Sequence, residues 1–179
     1  MSGVVIIGAG HAAGQAAASL RQAKYEGSIT IVGDEAHIPY QRPPLSKAYL
    51  KGEQSADKVY LRAESFYADR DITMKLSTTA TAIDTAAKTV ALSTGEALSY
   101  DHLLISTGSR PRKLSIEGSD LPGIHYLRTM DDVDGLREGM RPDANLVIVG
   151  GGYIGLEVAA VGRELGLNVH VLEMEERIL

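Results

Sequence analysis

The chain has no cysteine, which excludes disulfide staples, thiolate metal sites and any electron relay through a redox-active cysteine pair within these residues. It has no apolar run approaching the roughly 20 residues that a bilayer span requires. The first apolar strand begins at about Val4, which leaves no room for a signal peptide, so a cytoplasmic protein is expected. Positive charge is also short: 18 Lys and Arg against 23 Asp and Glu give a net charge of -5. No general field therefore draws the chain to nucleic acid. His37, His102, His125 and His170 have no metal-ligand spacing, and no metal is expected. Ser46 has no nearby His and acid to make it a nucleophile, so a hydrolase is not expected. What remains is a chain of 179 residues, 44% hydrophobic and 23% charged, enough to bury a sizeable core in one or two domains.

Two glycine-rich turns of one design stand far apart in it. The first, Gly8-Ala9-Gly10-His11-Ala12-Ala13, follows an apolar run at residues 4–7; the second, Gly150-Gly151-Gly152-Tyr153-Ile154-Gly155, follows another at 146–149. Each pattern predicts a buried parallel strand turning tightly into a helix, so that backbone N–H groups and the positive end of the helix dipole meet a pyrophosphate. One such match is weak in a chain with 19 glycines, and context decides. After the first turn, residues 12–24 form a small-residue helix and 29–32 a second strand closing on Asp34 and Glu35. An acid there, roughly 20 or more residues beyond the first glycine, accepts hydrogen bonds from an adenosine ribose. Ala13 takes the third glycine position. After the second turn come a helix at about 153–165, a strand at 169–172 and then Glu173. Ala17 and Ala159 hold matching places where each helix must approach its sheet. Two bare strand-to-helix turns without ligands are the alternative, and complete βαβ units at both places count against it. The pairing implies two dinucleotides held face to face, with hydride passing from a nicotinamide to a flavin.

The middle of the chain differs. Residues 78–84, 88–93 and 97–100 are short β-prone runs separated by turn-prone residues, which predicts an antiparallel meander. An apolar strand returns at 102–106 and ends in the sharp turn Thr107-Gly108-Ser109-Arg110-Pro111. Residues 112–125 are rich in Gly, Pro and Ser and read as a linker. A helix is predicted at 130–139, capped by Thr129, with Asp131 and Asp132 set favourably against its dipole. The fold expected is α/β: Rossmann-like, three-layer dinucleotide-binding domains on parallel sheets, with an antiparallel β-meander insertion. The domains are a flavin unit at 1–111, the linker at 112–125, and an incomplete nicotinamide unit at 126–179.

These segments carry a resemblance. Residues 8–14, the stretch Pro39-Tyr40-Gln41-Arg42-Pro43-Pro44-Leu45-Ser46-Lys47, residues 107–111 and residues 150–157 occur in the order seen in FAD-dependent, NADH-using ferredoxin reductases. The chain resembles that family over its whole length, and the RPPLSK stretch is the most specific part. The resemblance implies a pathway from NADH to FAD and then, one electron at a time, to a [2Fe-2S] ferredoxin serving a cytochrome P450 or a ring-hydroxylating dioxygenase. It implies FAD held by Gly8, Gly10, His11, Ala12 and Ala13, with Asp34 on the ribose and Glu35 as its neighbour. Lys47 would reach the flavin ring, Arg42 and Arg128 resemble flavin-contacting positions, and Ala80 matches one on the adenine side. Thr107 and Gly108 fall in the same pattern. For NADH it implies Gly150, Gly152, Tyr153, Ile154 and Gly155 at the pyrophosphate, with Glu157 where nicotinamide meets flavin. Glu173 at a strand end favours a free ribose hydroxyl, hence NADH over NADPH.

On residue type alone Arg42 and Lys47 are exposed loop charges, Arg128 reads equally as an ordinary surface arginine, and Ala80 is simply a strand residue. Glu157 reads equally as an acid stabilised by its helix dipole. No side chain is nominated as a catalytic acid, base or nucleophile. Family members run to more than twice this length, so the chain is expected to be truncated. A rubredoxin reductase, an apoptosis-inducing-factor-like flavoprotein, or a non-catalytic dinucleotide-binding fragment are the other readings.

Overall fold

The computed structural model describes residues 3–179. The chain forms two compact units: one holds the chain up to Gln41 together with Tyr60–Ser109, the other Arg42–Val59 together with Arg110–Leu179. In chain order the elements begin with β1 (Gly3–Ile7), α1 (His11–Gln22) and β2 (Ser28–Val32). A 3-10 turn at Pro43–Ser46 and the short helices α2 (Ala48–Lys51), α3 (Ala56–Val59) and α4 (Glu64–Ala68) follow. Then come β3 (Ile72–Lys75), β4 (Ala80–Asp84), β5 (Thr89–Leu92), β6 (Ala97–Ser99) and β7 (His102–Ile105). The chain ends with α5 (Met130–Gly139), β8 (Asn145–Val149), α6 (Tyr153–Glu164) and β9 (Asn168–Leu172).

The first unit has three layers. Its parallel sheet runs in the order β3-β2-β1-β7, and the alternation of side chains along β1 assigns its two faces. Val4 and Ile6 pack with Ile29, Ile31, Ala13 and Ala17, under α1. Val5 and Ile7 pack with Val32, Val90 and Leu92, against the antiparallel β4-β5-β6 sheet. Every residue of β1 is buried, as a central parallel strand covered on both faces requires. Ala17 is fully buried, so its small side chain sets how near α1 lies to the sheet.

The second unit repeats part of this plan. β8 and β9 pair in parallel, and α6 covers one face through Val158 and Val161. The close approach lies at Gly162, where an added Cβ would stand 2.9 Å from Leu146 and 3.0 Å from Val169. Ala159, the expected contact, is only half buried. On the other face Val147, Val149 and Leu172 remain 56–61% exposed. Helix α5 begins with Thr129 in a capping box: its hydroxyl accepts the Asp132 N–H, while the Asp132 carboxylate accepts the Thr129 N–H.

The segment Arg42–Val59 belongs to the second unit. Tyr49 donates to Asp134 of α5 at 3.1 Å, and Lys51 pairs with Glu164 of α6 at 2.7 Å. No helix among the described residues is long and apolar enough to cross a membrane.

Candidate functional site

The two glycine turns have nearly the same backbone. Gly8 has φ +107° and Gly150 φ +108°, a region closed to side chains with a Cβ. Each donates its N–H across the strand pair at 2.8 Å, Gly8 to the Val32 carbonyl and Gly150 to the Leu172 carbonyl. The helices then start at Gly10 and Gly152, both extended, with no side-chain cap and no acid in the first turn. Helix α5 makes the contrast, because Thr129 caps it and Asp131 and Asp132 lie in its first turn. Among the described residues, a Cβ added at Gly10 or at Gly152 would meet nothing within 4 Å, so the Cβ direction is open at the start of both helices. At Gly155 the same atom would come within 2.2 Å of the Gly150 carbonyl oxygen, which fixes glycine there by close packing.

In the first unit, Ala13 is buried under the sheet while His11 and Ala12 are exposed at the start of α1. Asp34 is exposed beyond the end of β2; the Glu35 carboxylate accepts a hydrogen bond from the Tyr40 hydroxyl. Thr107 and Gly108 are exposed just after β7, and Ala80 opens β4. In the second unit, Tyr153 and Ile154 are 75% and 52% exposed at the start of α6. Glu173 is tied to its own turn: Oε2 accepts the Gly151 N–H at 2.6 Å, and Oε1 accepts those of Met174 and Glu175 at 2.7 and 3.0 Å. The Glu175, Gly151 and Met174 amides, in that order, hold its carboxyl below the usual range.

A second feature of this unit is a cavity of about 280 Å³ lined by Arg42, Ser46, Lys47, Arg128, Ile154 and Glu157. Lys47 Nζ stands 2.8 Å from Glu157 Oε1, and the Ser46 hydroxyl donates to Glu157 Oε2 at 2.5 Å. Lys47 first, then Ser46, lowers the Glu157 carboxyl from its ordinary value. Arg42 donates to the Arg128 carbonyl oxygen. Among the described residues the buried Nε of Arg128 has no hydrogen-bond partner, an unsatisfied donor of the kind that a bound acceptor completes. Five of the expected residues, Arg42, Lys47, Arg128, Ile154 and Glu157, thus come together. Ser46 was missed as a member of this group, because no local pattern links it to an acid so distant in the chain. Among the described residues no His or acid cluster is arranged for a metal.

Residues 2–179 match the family described as pyridine nucleotide-disulphide oxidoreductase. A probable ferredoxin reductase of Castellaniella defragrans is 46% identical over 98% of this chain and 43% of its own. The rhodocoxin reductase of Rhodococcus erythropolis is 45% identical over 97% of this chain and 41% of its own. Among solved structures, a putidaredoxin reductase in covalent complex with putidaredoxin superposes with a TM-score of 0.91 at 42% identity, covering 99% of this chain and 43% of the other. The chain therefore spans less than half the length of the relatives it matches.

Proposed function

This chain belongs to the pyridine nucleotide-disulphide oxidoreductase family, and from that premise we propose that it carries nucleotide-binding parts of an FAD-dependent, NADH-oxidising ferredoxin reductase. The observation that carries the reading is the repeated turn: two strand ends at positive φ, each opening a helix whose N–H groups no side chain caps. Helix N-termini of this kind hold phosphates. The first would take the FAD pyrophosphate on Gly8, Gly10, His11, Ala12 and Ala13, with Asp34 or Glu35 at the ribose and Ala80, Thr107 and Gly108 nearby in the family pattern. The second would take NADH on Gly150, Gly152, Tyr153, Ile154 and Gly155. Glu173 supports NADH, since a carboxylate suits a ribose hydroxyl and repels a 2'-phosphate.

When bound, FAD supplies acceptance of two electrons together and their release one at a time. The protein's own residues supply placement and charge. Lys47 offers a fixed cation for the negative charge that develops on a reduced flavin, and Arg42 and Arg128 stand in the same cavity. Glu157 holds the Lys47 ammonium and is assigned to the nicotinamide side by resemblance. No side chain need transfer a proton as a strong acid or base.

The acceptor proposed is a [2Fe-2S] ferredoxin serving a P450 or a ring-hydroxylating dioxygenase, in the cytoplasm where NADH is supplied. The relatives named for ferredoxins support it. A rubredoxin-NAD(+) reductase of Pseudomonas putida, 43% identical over 98% of this chain, favours rubredoxin as the second reading. The test offers FAD and NADH to the protein and follows reduction of a [2Fe-2S] ferredoxin and of a rubredoxin side by side. Faster reduction of the ferredoxin is expected; faster reduction of rubredoxin selects the second reading. Binding of both nucleotides without reduction of either acceptor, or of an artificial one, marks a non-catalytic fragment.

A further inference from the structure

The Pro43–Ser46 turn holds a side chain for which the chemistry above has no use. Ser46 is only 4% exposed, yet its hydroxyl reaches Glu157 Oε2 at 2.5 Å. The Pro43 carbonyl oxygen, 3.5 Å from the same hydroxyl, is too far to compete. The other carboxylate oxygen of Glu157 takes Lys47 Nζ at 2.8 Å, and that ammonium lies 3.4 Å from the Pro43 carbonyl oxygen. Adjacent residues of one segment therefore engage the two oxygens of one carboxylate separately.

That division has a mechanical consequence. The terminal torsion of a glutamate is broad and two-fold, so a carboxylate paired only with a lysine exchanges its oxygens and drifts. The lysine drifts with it, being a point charge on a flexible stem, and Lys47 is 51% exposed. A buried hydroxyl bonded to the second oxygen removes this freedom, because turning the carboxylate away leaves a buried donor unsatisfied.

We propose that Ser46 is a positioning residue: by fixing the rotation of the Glu157 carboxylate it fixes where the Lys47 ammonium stands, and hence how much positive charge a flavin ring receives. The last clause rests on the flavoprotein reading; the first does not. Ser46→Ala removes one oxygen and little volume, and Ser46→Thr keeps the hydroxyl.

The test follows the Glu157 carboxyl by carbon NMR across a pH titration of the 179-residue chain, and separately the midpoint potential of added FAD. In Ser46→Ala the Glu157 titration is expected to move up toward the ordinary carboxylate range. The FAD potential becomes more negative, and hydride transfer from NADH slows about tenfold. Ser46→Thr restores all three. An unmoved Glu157 titration in folded Ser46→Ala overturns the proposal, and a moved titration with an unmoved FAD potential overturns its link to the flavin. Lys47→Met gives an independent arm: Glu157 should still titrate below the ordinary range through Ser46 alone, and a return to that range overturns the proposal. If the chain takes up no FAD, the flavoprotein reading fails, and the titration still decides whether Ser46 positions Glu157.

Discussion

Gly8 and Gly10 are both glycines of one turn, but they are glycines for different physical reasons, and their substitutions separate folding from binding. At Gly8 the backbone is at φ +107°, and an added Cβ would lie 2.3 Å from the Ser106 carbonyl oxygen. Gly8→Ala should therefore destabilise the chain by about 1–3 kcal/mol from the backbone conformation alone. Gly10 is extended, φ -88° and ψ -165°, and its Cβ direction is open. Gly10→Val should leave thermal unfolding near wild type while weakening FAD by about ten- to a hundredfold, as overfilling a packed contact does. Equal FAD affinity in the two proteins would remove the first turn from the proposed site. The sequence displayed the glycines themselves, but not this division, because φ and free volume belong to the folded backbone. Ser46 makes the same point more sharply: the sequence carries a hydroxyl beside Lys47, and only folding brings Glu157 to it.

At the level of elements, legibility followed periodicity where runs were long and punctuation where they were short. The expected meander was readable from the turn-prone residues between its short β-prone runs, α5 from its Thr129 cap, and both βαβ units from the apolar strand and glycine turn that open each helix. Helix α5 fell on the predicted span, Met130–Gly139. β3 and the short helices α2, α3 and α4 escaped, since four or five residues complete barely one turn or two side-chain alternations. The 3-10 turn at Pro43–Ser46 read as a loop with two prolines, yet it is joined to α6 through Glu157 and followed by α2, joined to the same helix through Lys51 and Glu164. The first of these ties is acid-labile. Because the folded Glu157 carboxyl titrates below its ordinary value, its contribution is complete above about pH 4.3, the ordinary glutamate value, and is lost as pH falls through the lowered folded value. The Lys51 ammonium is raised by Glu164 first and Glu53 second, so on the alkaline side its contribution is present below the ordinary lysine range and is lost as pH rises through the raised folded value. Acid titration followed through the Ser46 and Lys47 amide resonances should show them moving together, with a midpoint below the ordinary glutamate range. A midpoint within that range, or separate midpoints for the two amides, would contradict the tie.

The whole molecule is built on a repeat: one unit with a three-layer core, and a second that copies its strand, turn and helix. The repeat was legible as two glycine patterns with matching flanks. What was not legible was the grouping of Arg42–Val59 with the second unit, because those contacts connect segments far apart in the chain. The open face of β8 and β9 also belongs to this scale, with Val147, Val149 and Leu172 exposed in a chain that spans 43% of a solved relative. The most direct measurement is the visible spectrum of the 179-residue chain after incubation with FAD and desalting. A yellow protein is expected, with FAD retained at about one equivalent per chain and bleached when NADH is added without oxygen. A colourless protein, with all the FAD in the small-molecule fraction, would contradict the flavoprotein reading.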